Sequence, residues 1–183
     1  MMQKLASSRN AEHTDVRVVA LILAAGFSTR LGTPKQDIVF DGETLLARAE
    51  RLARAVADEV IVVTPQINPD AAEGIASSIR TGVRMAGEGA RILIMLCDQP
   101  LITTGHLQNL LAIDAPIVAT GYAGIAGVPA VFAPKLASEL LALRGDRGAR
   151  VVIEAHRDVT RVVPFENAAI DIDTEVDLRK LRG

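Results

Sequence analysis

The stretch Leu21-Ile-Leu-Ala-Ala-Gly-Phe-Ser-Thr-Arg-Leu-Gly-Thr-Pro-Lys35 decides how the rest of the chain is read. It opens inside an apolar, β-branched run, Val18 to Leu23, with the length and composition of a fully buried strand. Ala24-Ala25-Gly26 follows, where the chain must turn and let something approach the backbone closely. Two cations come next, Arg30 and Lys35, separated by Gly32 and Pro34. A buried strand feeding a glycine-containing cationic turn gathers backbone N–H groups and positive charge at one point, which suits a phosphate. Neither of two familiar phosphate motifs fits. A P-loop needs Lys directly after its second glycine and then a hydroxyl residue, whereas here Lys35 trails Gly32 by three positions and precedes Gln36. The dinucleotide fingerprint needs three closely spaced glycines, and only Gly26 and Gly32 are present. A polar surface loop at the end of an ordinary strand is the competing reading.

Outward from that stretch, 183 residues suit one domain with a substantial core: a single unit over 16–183 behind a flexible tail at 1–15. The tail is polar and lacks hydrophobic periodicity. Aromatic residues are scarce and Trp is absent, so Val, Ile, Leu and Ala must build the core. A net charge of −2 provides no basic excess to neutralise a nucleic acid. Cys97 is the single cysteine, which excludes an intrachain disulfide and favours a reducing compartment. Val18 to Ala25 has the apolarity of a signal-peptide core, but its leader carries Glu12 and Asp15, and no run reaches membrane-spanning length. The expectation is a cytoplasmic protein with neither a nucleic-acid nor a membrane partner.

Taken in order, strand signals alternate with helix signals. Asp37 to Glu43 reads as a short extended piece turning at Asp41-Gly42, and Thr44 as the N-cap of a helix over 45–57. Glu59 to Val63 reads as a second buried strand, 74–86 as a helix carrying Ser77, Ser78 and Arg80, and Arg91 to Cys97 as a third strand. Asp98-Gln99-Pro100 breaks it, and Thr103 or Thr104 caps a helix running to Ala112. Pro116 to Thr120 and Val128 to Ala133 read as strands joined by a glycine-rich linker. Helices over 134–143 and 149–156, a strand over 159–163 and a last helix ending near Leu181 complete the chain. The alternation predicts an α/β sandwich with a largely parallel sheet. The linker at 121–127 is too short for a helical crossover, so the sheet should be mixed.

Ligands of open parallel sheets bind beyond the carboxyl ends of the strands. There the first strand delivers the loop 26–35 and the third delivers Asp98, which alone would read as a turn residue but beside a phosphate loop reads as a hard oxygen donor for Mg²⁺. Ser77 and Ser78 suit a ligand contact or the first turns of a helix, and Arg80 a ligand contact or a solvated face. Asp146 suits a substrate contact or a cap for the helix over 149–156. His13, His106 and His156 share no metal-ligand spacing. Cys97 reads as a buried strand-end thiol with no His or cation beside it.

Leu-Ala-Ala-Gly-x-x-x-Arg-x-Gly-x-x-Lys over 23–35 resembles the signature loop of nucleotidyltransferases, and its Ala-Ala-Gly form resembles the molybdenum cofactor cytidylyltransferase branch. The resemblance continues through Glu73-Gly-Ile-Ala-Ser-Ser-Ile-Arg-Thr-Gly82, Cys97-Asp-Gln-Pro-Leu101, Gly127-Val-Pro-Ala-Val-Phe132, Gly145-Asp-Arg-Gly-Ala-Arg150 and Asp171-Ile-Asp-Thr174. Each motif is weak alone, and their joint order is specific. The resemblance implies a three-layer αβα sandwich, Rossmann-like, of the nucleotide-diphospho-sugar transferase type. It implies transfer of a nucleoside monophosphate to a phosphorylated, molybdopterin-type acceptor with release of pyrophosphate. Arg30, Lys35 and Asp98 would be catalytic, and Leu23, Ala24, Ala25, Gly26, Ser28, Ser77, Ser78 and Gly82 would hold the nucleotide. Asp98 and Asp173 would bind Mg²⁺, and Gly127, Pro129 and Asp146 would face the acceptor. The Ala24-Ala25 pair, where the guanylyl branch favours glycine, leans toward CTP over GTP.

Three departures stand out: Leu31 for the usual Met, Val128 where many relatives have His, and Glu175-Val176 for Pro-Glu. The second bears on the acceptor. Rival functions are guanylyl or other nucleotidyl transfer, and a non-catalytic cofactor carrier that serves a molybdoenzyme or its maturation factor. A dinucleotide-dependent oxidoreductase would share the α/β pattern without the glycine fingerprint, and NADPH binding separates it.

Overall fold

The computed structural model describes residues 16–25 and 34–172. The expected tail at 1–15, the loop residues Gly26, Ser28 and Arg30, the second acid Asp173 and the last helix lie outside the described residues. Val18–Leu23 (β1) is the strand its composition predicts, buried on both faces. Lys35–Asp37 forms a 3₁₀ turn, then Val39–Phe40 (β2) and Glu43–Thr44 (β3) make a small hairpin. Asp41 and Gly42 turn it with φ of 51° and 84°, the pair of left-handed residues a two-residue hairpin loop requires. Leu45–Arg54 (α1) starts on Thr44, whose Oγ1 accepts from the Ala47 amide at 3.1 Å.

Glu59–Val63 (β4), Ile75–Ala86 (α2), Arg91–Leu96 (β5) and Thr104–Leu111 (α3) follow, α3 capped by Thr103. Ile117–Tyr122 (β6) and Ile125–Phe132 (β7) come next, then the short helices Ala137–Ala142 (α4) and Arg150–Ala155 (α5), and Thr160–Pro164 (β8). The six-stranded sheet runs β4-β1-β5-β7-β6-β8, with β7 antiparallel to both of its neighbours. It is mixed and mostly parallel, as the short 121–127 connection requires.

Alternate residues of β1 feed opposite cores. Val19, Leu21 and Leu23 pack with Ile79 and Val83 of α2, Leu140 of α4 and Val152 of α5. Ala20 and Ile22 pack with Ala49 and Leu52 of α1 and Leu107 and Leu110 of α3. Helices therefore cover both faces, and the architecture is a three-layer αβα sandwich. No helix among the described residues is long and apolar enough to cross a membrane.

One segment differs from its expected form. The glycine-rich linker is itself mostly strand, because β6 and β7 extend to a two-residue turn at Ala123-Gly124, with φ of 47° and 73°. Pairing jumps from Ala119↔Ala130 to Thr120↔Gly127, so Val128 and the cis-bonded Pro129 sit in a bulge. A bulge is where an interior strand tolerates proline. Side chains take up the carbonyls it releases: Thr120 Oγ1 donates to Pro129 O at 2.6 Å, and Gln99 Nε2 donates to Val128 O at 3.3 Å.

Thr120's hydroxyl hydrogen is thus committed, so His106 Nε2, 2.8 Å away, must be the donor of its contact with Thr120. The His106 ring is buried and stacked on Phe165 at 4.3 Å, and burial pushes its pKa below the ordinary value. Well above about pH 6.5 both folded and unfolded states hold it neutral. As pH falls the unfolded chain takes the proton first, so stability declines until the folded ring protonates too, by no more than about 1.4 kcal/mol per pH unit. Urea denaturation from pH 8 to 5 should show this decline, and His106→Gln should flatten it. Equal slopes in the two proteins would remove His106 as its source.

Candidate active site

The register of β1 against β5 builds the site. Leu23 pairs with Leu96, so the residues that follow, Ala24 and Ala25 on one strand and Cys97 and Asp98 on the other, emerge side by side at the carboxyl edge. The chain leaves β1 for β4 on one side and leaves β5 for β6 on the other, so a crevice opens between diverging connections. A cleft of about 440 Å³ occupies that place. Its lining includes Leu23, Ala24, Ala25, Lys35, Cys97, Asp98, Ala71, Ala72, Gly74, Ser78 and Asp146.

Lys35 Nζ lies 2.9 Å from Asp98 Oδ2, with side chains 26% and 18% exposed. The 3₁₀ turn at 35–37 therefore brings Lys35 onto Asp98 across 63 residues of sequence. The other carboxylate oxygen, Asp98 Oδ1, is buried and has no hydrogen-bond partner among the described residues. A buried carboxylate oxygen at a cleft with no donor to satisfy it is suited to a hard divalent cation. Among the described residues no three His, Cys, Asp or Glu side chains cluster for a metal. The main chain of the closing motif does return here, since the Ile172 amide donates to Asp98 O at 3.0 Å.

Cys97 lines the cleft as a neutral thiol. Burial first, and the neighbouring Asp98 charge second, push its pKa up to about 12.

The serine pair divides. Asn68, buried in the loop before α2, donates through Nδ2 to Ser77 Oγ at 2.8 Å and Ser78 Oγ at 3.0 Å. Ser77 spends its own hydrogen on Gly74 O at 2.8 Å and does not line the cleft. Ser78 lines it and accepts from Asn68, which leaves its hydroxyl hydrogen for an acceptor in the cleft. Gly82 sits away from the cleft. A Cβ there would come within 2.9 Å of Leu21 Cδ1 and 3.2 Å of Val63 Cγ2, so this glycine lets α2 pack on β1 and β4.

Gly127 and Pro129 lie on β7, beyond β5 from the cleft, and are not among its lining residues. A Cβ at Gly127 would overlap the Tyr122 hydroxyl. Burial first, then the Asp171 charge, raises the Tyr122 pKa, so the phenol stays a neutral donor.

Asp146 does not cap the helix that follows it, whose first turn has no side-chain cap and is preceded by Ala149. It lines the cleft instead, its Oδ1 over the Cα of Gly74, where no Cβ could fit. Arg80, a solvated charge in the simplest reading, is buried. Its Nη1 donates to Glu73 Oε1 and to Leu143 O, both at 2.8 Å. Glu73 also accepts from the Gly145 amide at 3.1 Å, and the Arg80 guanidinium foremost holds its pKa down at about 2.

Sequence reasoning missed Asn68, Gln99 as the brace of the bulge, Tyr122 and the Glu73–Arg80 pair. An Asn-Pro loop before a serine-bearing helix, and an acid seven residues before an arginine, were the available signals.

The family described as MobA-like NTP transferase domain matches residues 20–159. The purine catabolism protein PucB of Bacillus subtilis is 28% identical over 168 residues, covering 75% of this chain and 81% of that protein. A probable molybdenum cofactor guanylyltransferase of Synechococcus elongatus is 43% identical over 58 residues, 32% of this chain and 29% of that protein. Among solved structures, Rv0371c of Mycobacterium tuberculosis superposes with a TM-score of 0.79 at 28% identity, covering 92% of this chain and 98% of that one. A second structure of Rv0371c, a complex with manganese, superposes with a TM-score of 0.72 at 25% identity, covering 90% of this chain and 97% of that one.

Proposed function

Because the chain belongs to the MobA-like NTP transferase family, by its match over residues 20–159, we propose that it transfers CMP from CTP to the phosphate of a molybdopterin-type acceptor and releases pyrophosphate. One observation carries this reading: Lys35 and Asp98 meet at 2.9 Å in the crevice where β1 and β5 deliver their polar ends. The Synechococcus relative's name supports a molybdenum cofactor substrate, and the Ala24-Ala25 pair supports cytidine over guanosine. The lone Cys97 suits a cytoplasmic enzyme.

In this reaction an acceptor phosphate oxygen forms a new bond to the α-phosphorus while the α–β bridging bond breaks and its electrons leave with pyrophosphate. The acceptor oxygen is already ionised near neutral pH, so no residue has to remove a proton. Catalysis then rests on positioning and on charge. Lys35 is the point charge for the transferred phosphate, and Arg30 is the fork for the leaving phosphates. Backbone N–H groups of the 25–28 segment would be the phosphate donors that the family resemblance implies. Asp98, with Asp173, would hold a divalent cation, taken here as Mg²⁺. When bound, such a cation supplies positive charge to the polyphosphate oxygens. The orphaned Asp98 Oδ1 and the manganese complex of Rv0371c support a metal at this acid. Gly127, against Tyr122, and Pro129 are assigned to the acceptor side.

The test is pyrophosphate release with each of the four ribonucleoside triphosphates, with and without Mg²⁺ and with and without molybdopterin. Release that needs both additions and is fastest with CTP is the expected result. A faster reaction with GTP would make the protein a guanylyltransferase. Pterin binding with no pyrophosphate from any triphosphate would make it a carrier and end the transferase reading.

A further inference from the structure

Sequence resemblance groups Asp146 with Gly127 and Pro129, yet the fold separates them. Gly127 and Pro129 belong to β7, on the far side of β5, whereas Asp146 rests on Gly74 at the start of α2, which follows β4. Resting on the transferase reading above, we propose that Asp146 belongs to the nucleoside half of the cleft, where it accepts hydrogen bonds from N–H or O–H groups of the nucleoside.

The loop that carries Asp146 is stitched down from several directions. The Ala76 amide donates to Gly145 O at 3.1 Å, the Gly145 amide donates to Glu73, and Arg80 joins Glu73 to Leu143 O. Gly145 turns with φ of 62°, a left-handed value that glycine adopts freely. Gly74 has φ of 120°, and its missing side chain leaves room for the Gly145 carbonyl and the Asp146 carboxylate. Glu73 and Arg80 are therefore positioning residues for Asp146.

The carboxylate itself has no protein partner among the described residues, although it lines the cleft. An ionised carboxylate only accepts hydrogen bonds, and it repels phosphate. The phosphate end is already marked by Lys35 and Asp98 on the β1–β5 edge. What remains for Asp146 is the donor-bearing part of the nucleotide. Ser78 of α2 presents a hydroxyl donor to the same cleft, so the Asp146 and Ser78 side chains supply an acceptor and a donor there. An exocyclic amine of the base and the ribose hydroxyls are the two sources of donors that fit.

The experiment measures binding of non-hydrolysable α,β-methylene triphosphates to the full chain without acceptor, together with the separate KM values for triphosphate and acceptor. Asp146 is exposed, so Asp146→Asn and Asp146→Ala should both fold. Loss of a charged hydrogen-bond partner should weaken analogue binding by roughly 10- to 100-fold and raise the triphosphate KM alike, with the acceptor KM unchanged. If the base amine is read, the variants lose preference for CTP over UTP. If the ribose is read, they lose preference for ribo- over 2′-deoxyribonucleotides and weaken all bases equally. Analogue binding unchanged in both variants, or a rise confined to the acceptor KM, would overturn the assignment while the transferase reading stands. A wild-type protein that binds none of the analogues would overturn both.

Discussion

Lys35→Ala is expected to lower the turnover number by roughly two to three orders of magnitude, the loss that accompanies removal of one preorganised donor to a developing charge. The ammonium lies 2.9 Å from Asp98 Oδ2 in a partly buried setting, so its removal takes one positive charge from the cleft and strips Asp98 of its ammonium partner. One positive charge fewer beside a polyphosphate raises the triphosphate KM as well as lowering turnover. Two variants separate shielding from catalysis. If Lys35 merely neutralises Asp98, the double variant Lys35→Ala, Asp98→Asn should turn over faster than Lys35→Ala. If both groups act on the phosphates, it should be no faster. Lys35→Arg keeps the charge but replaces a point donor with a planar fork, and it should recover only part of the activity. A Lys35→Ala protein with turnover within threefold of wild type would remove this residue from the mechanism.

The parts of this molecule legible in its sequence are those governed by local rules. Glu59–Val63 lies between turn residues and is recovered to the residue, and Thr44 and Thr103 cap the helices they precede. β1 and β5 are readable because apolar runs of that length have few other homes, and the carboxyl-edge rule then put Ala24, Ala25 and Asp98 in one crevice. The extent of the β6–β7 hairpin was not readable, since Gly121 to Gly127 carries turn composition through residues that are paired strand. Their pairing depends on the Gln99 and Thr120 side chains that hold the bulge, and those contacts form only in the folded state.

The same reason accounts for Asp146, Arg80 and Gly82. Asp146 stands in good position to cap a local helix, but it is drawn to Gly74, far away in sequence. Arg80 is buried because Glu73 and the Leu143 carbonyl meet its guanidinium, and Gly82 is small because Leu21 and Val63 lie against it. Each is a long-range contact between segments whose local patterns give no hint of one another. The cleft wall proposed for the nucleoside is built almost wholly from such contacts, whereas the Lys35–Asp98 end lies beside strand termini.

Phe132→Ala is expected to lower folding stability by about 3–5 kcal/mol, a drop of roughly 6–20 °C in Tm for a chain of this size. Among the described residues Phe132 is the largest of the fully buried side chains, and no second aromatic is packed into its otherwise aliphatic cluster to take up the space. Its position makes the loss structural as well as local. It pairs with Ile92 of β5 on one side and Ile117 of β6 on the other, so it sits where β7 joins the parallel strands β4-β1-β5 to the outer strands β6 and β8. β5 carries Asp98 at its end, and β7 carries Gly127 and the bulge that Gln99 braces. A cavity at this seam should therefore loosen β7 and β6 relative to the β1–β5 edge before the whole molecule unfolds. Phe132→Leu keeps most of the volume and should lose much less. Denaturant melts together with hydrogen exchange of the β6 and β7 amides read both effects. A loss below about 1 kcal/mol in Phe132→Ala, outside the range for burying a phenyl ring, would contradict the seam described here.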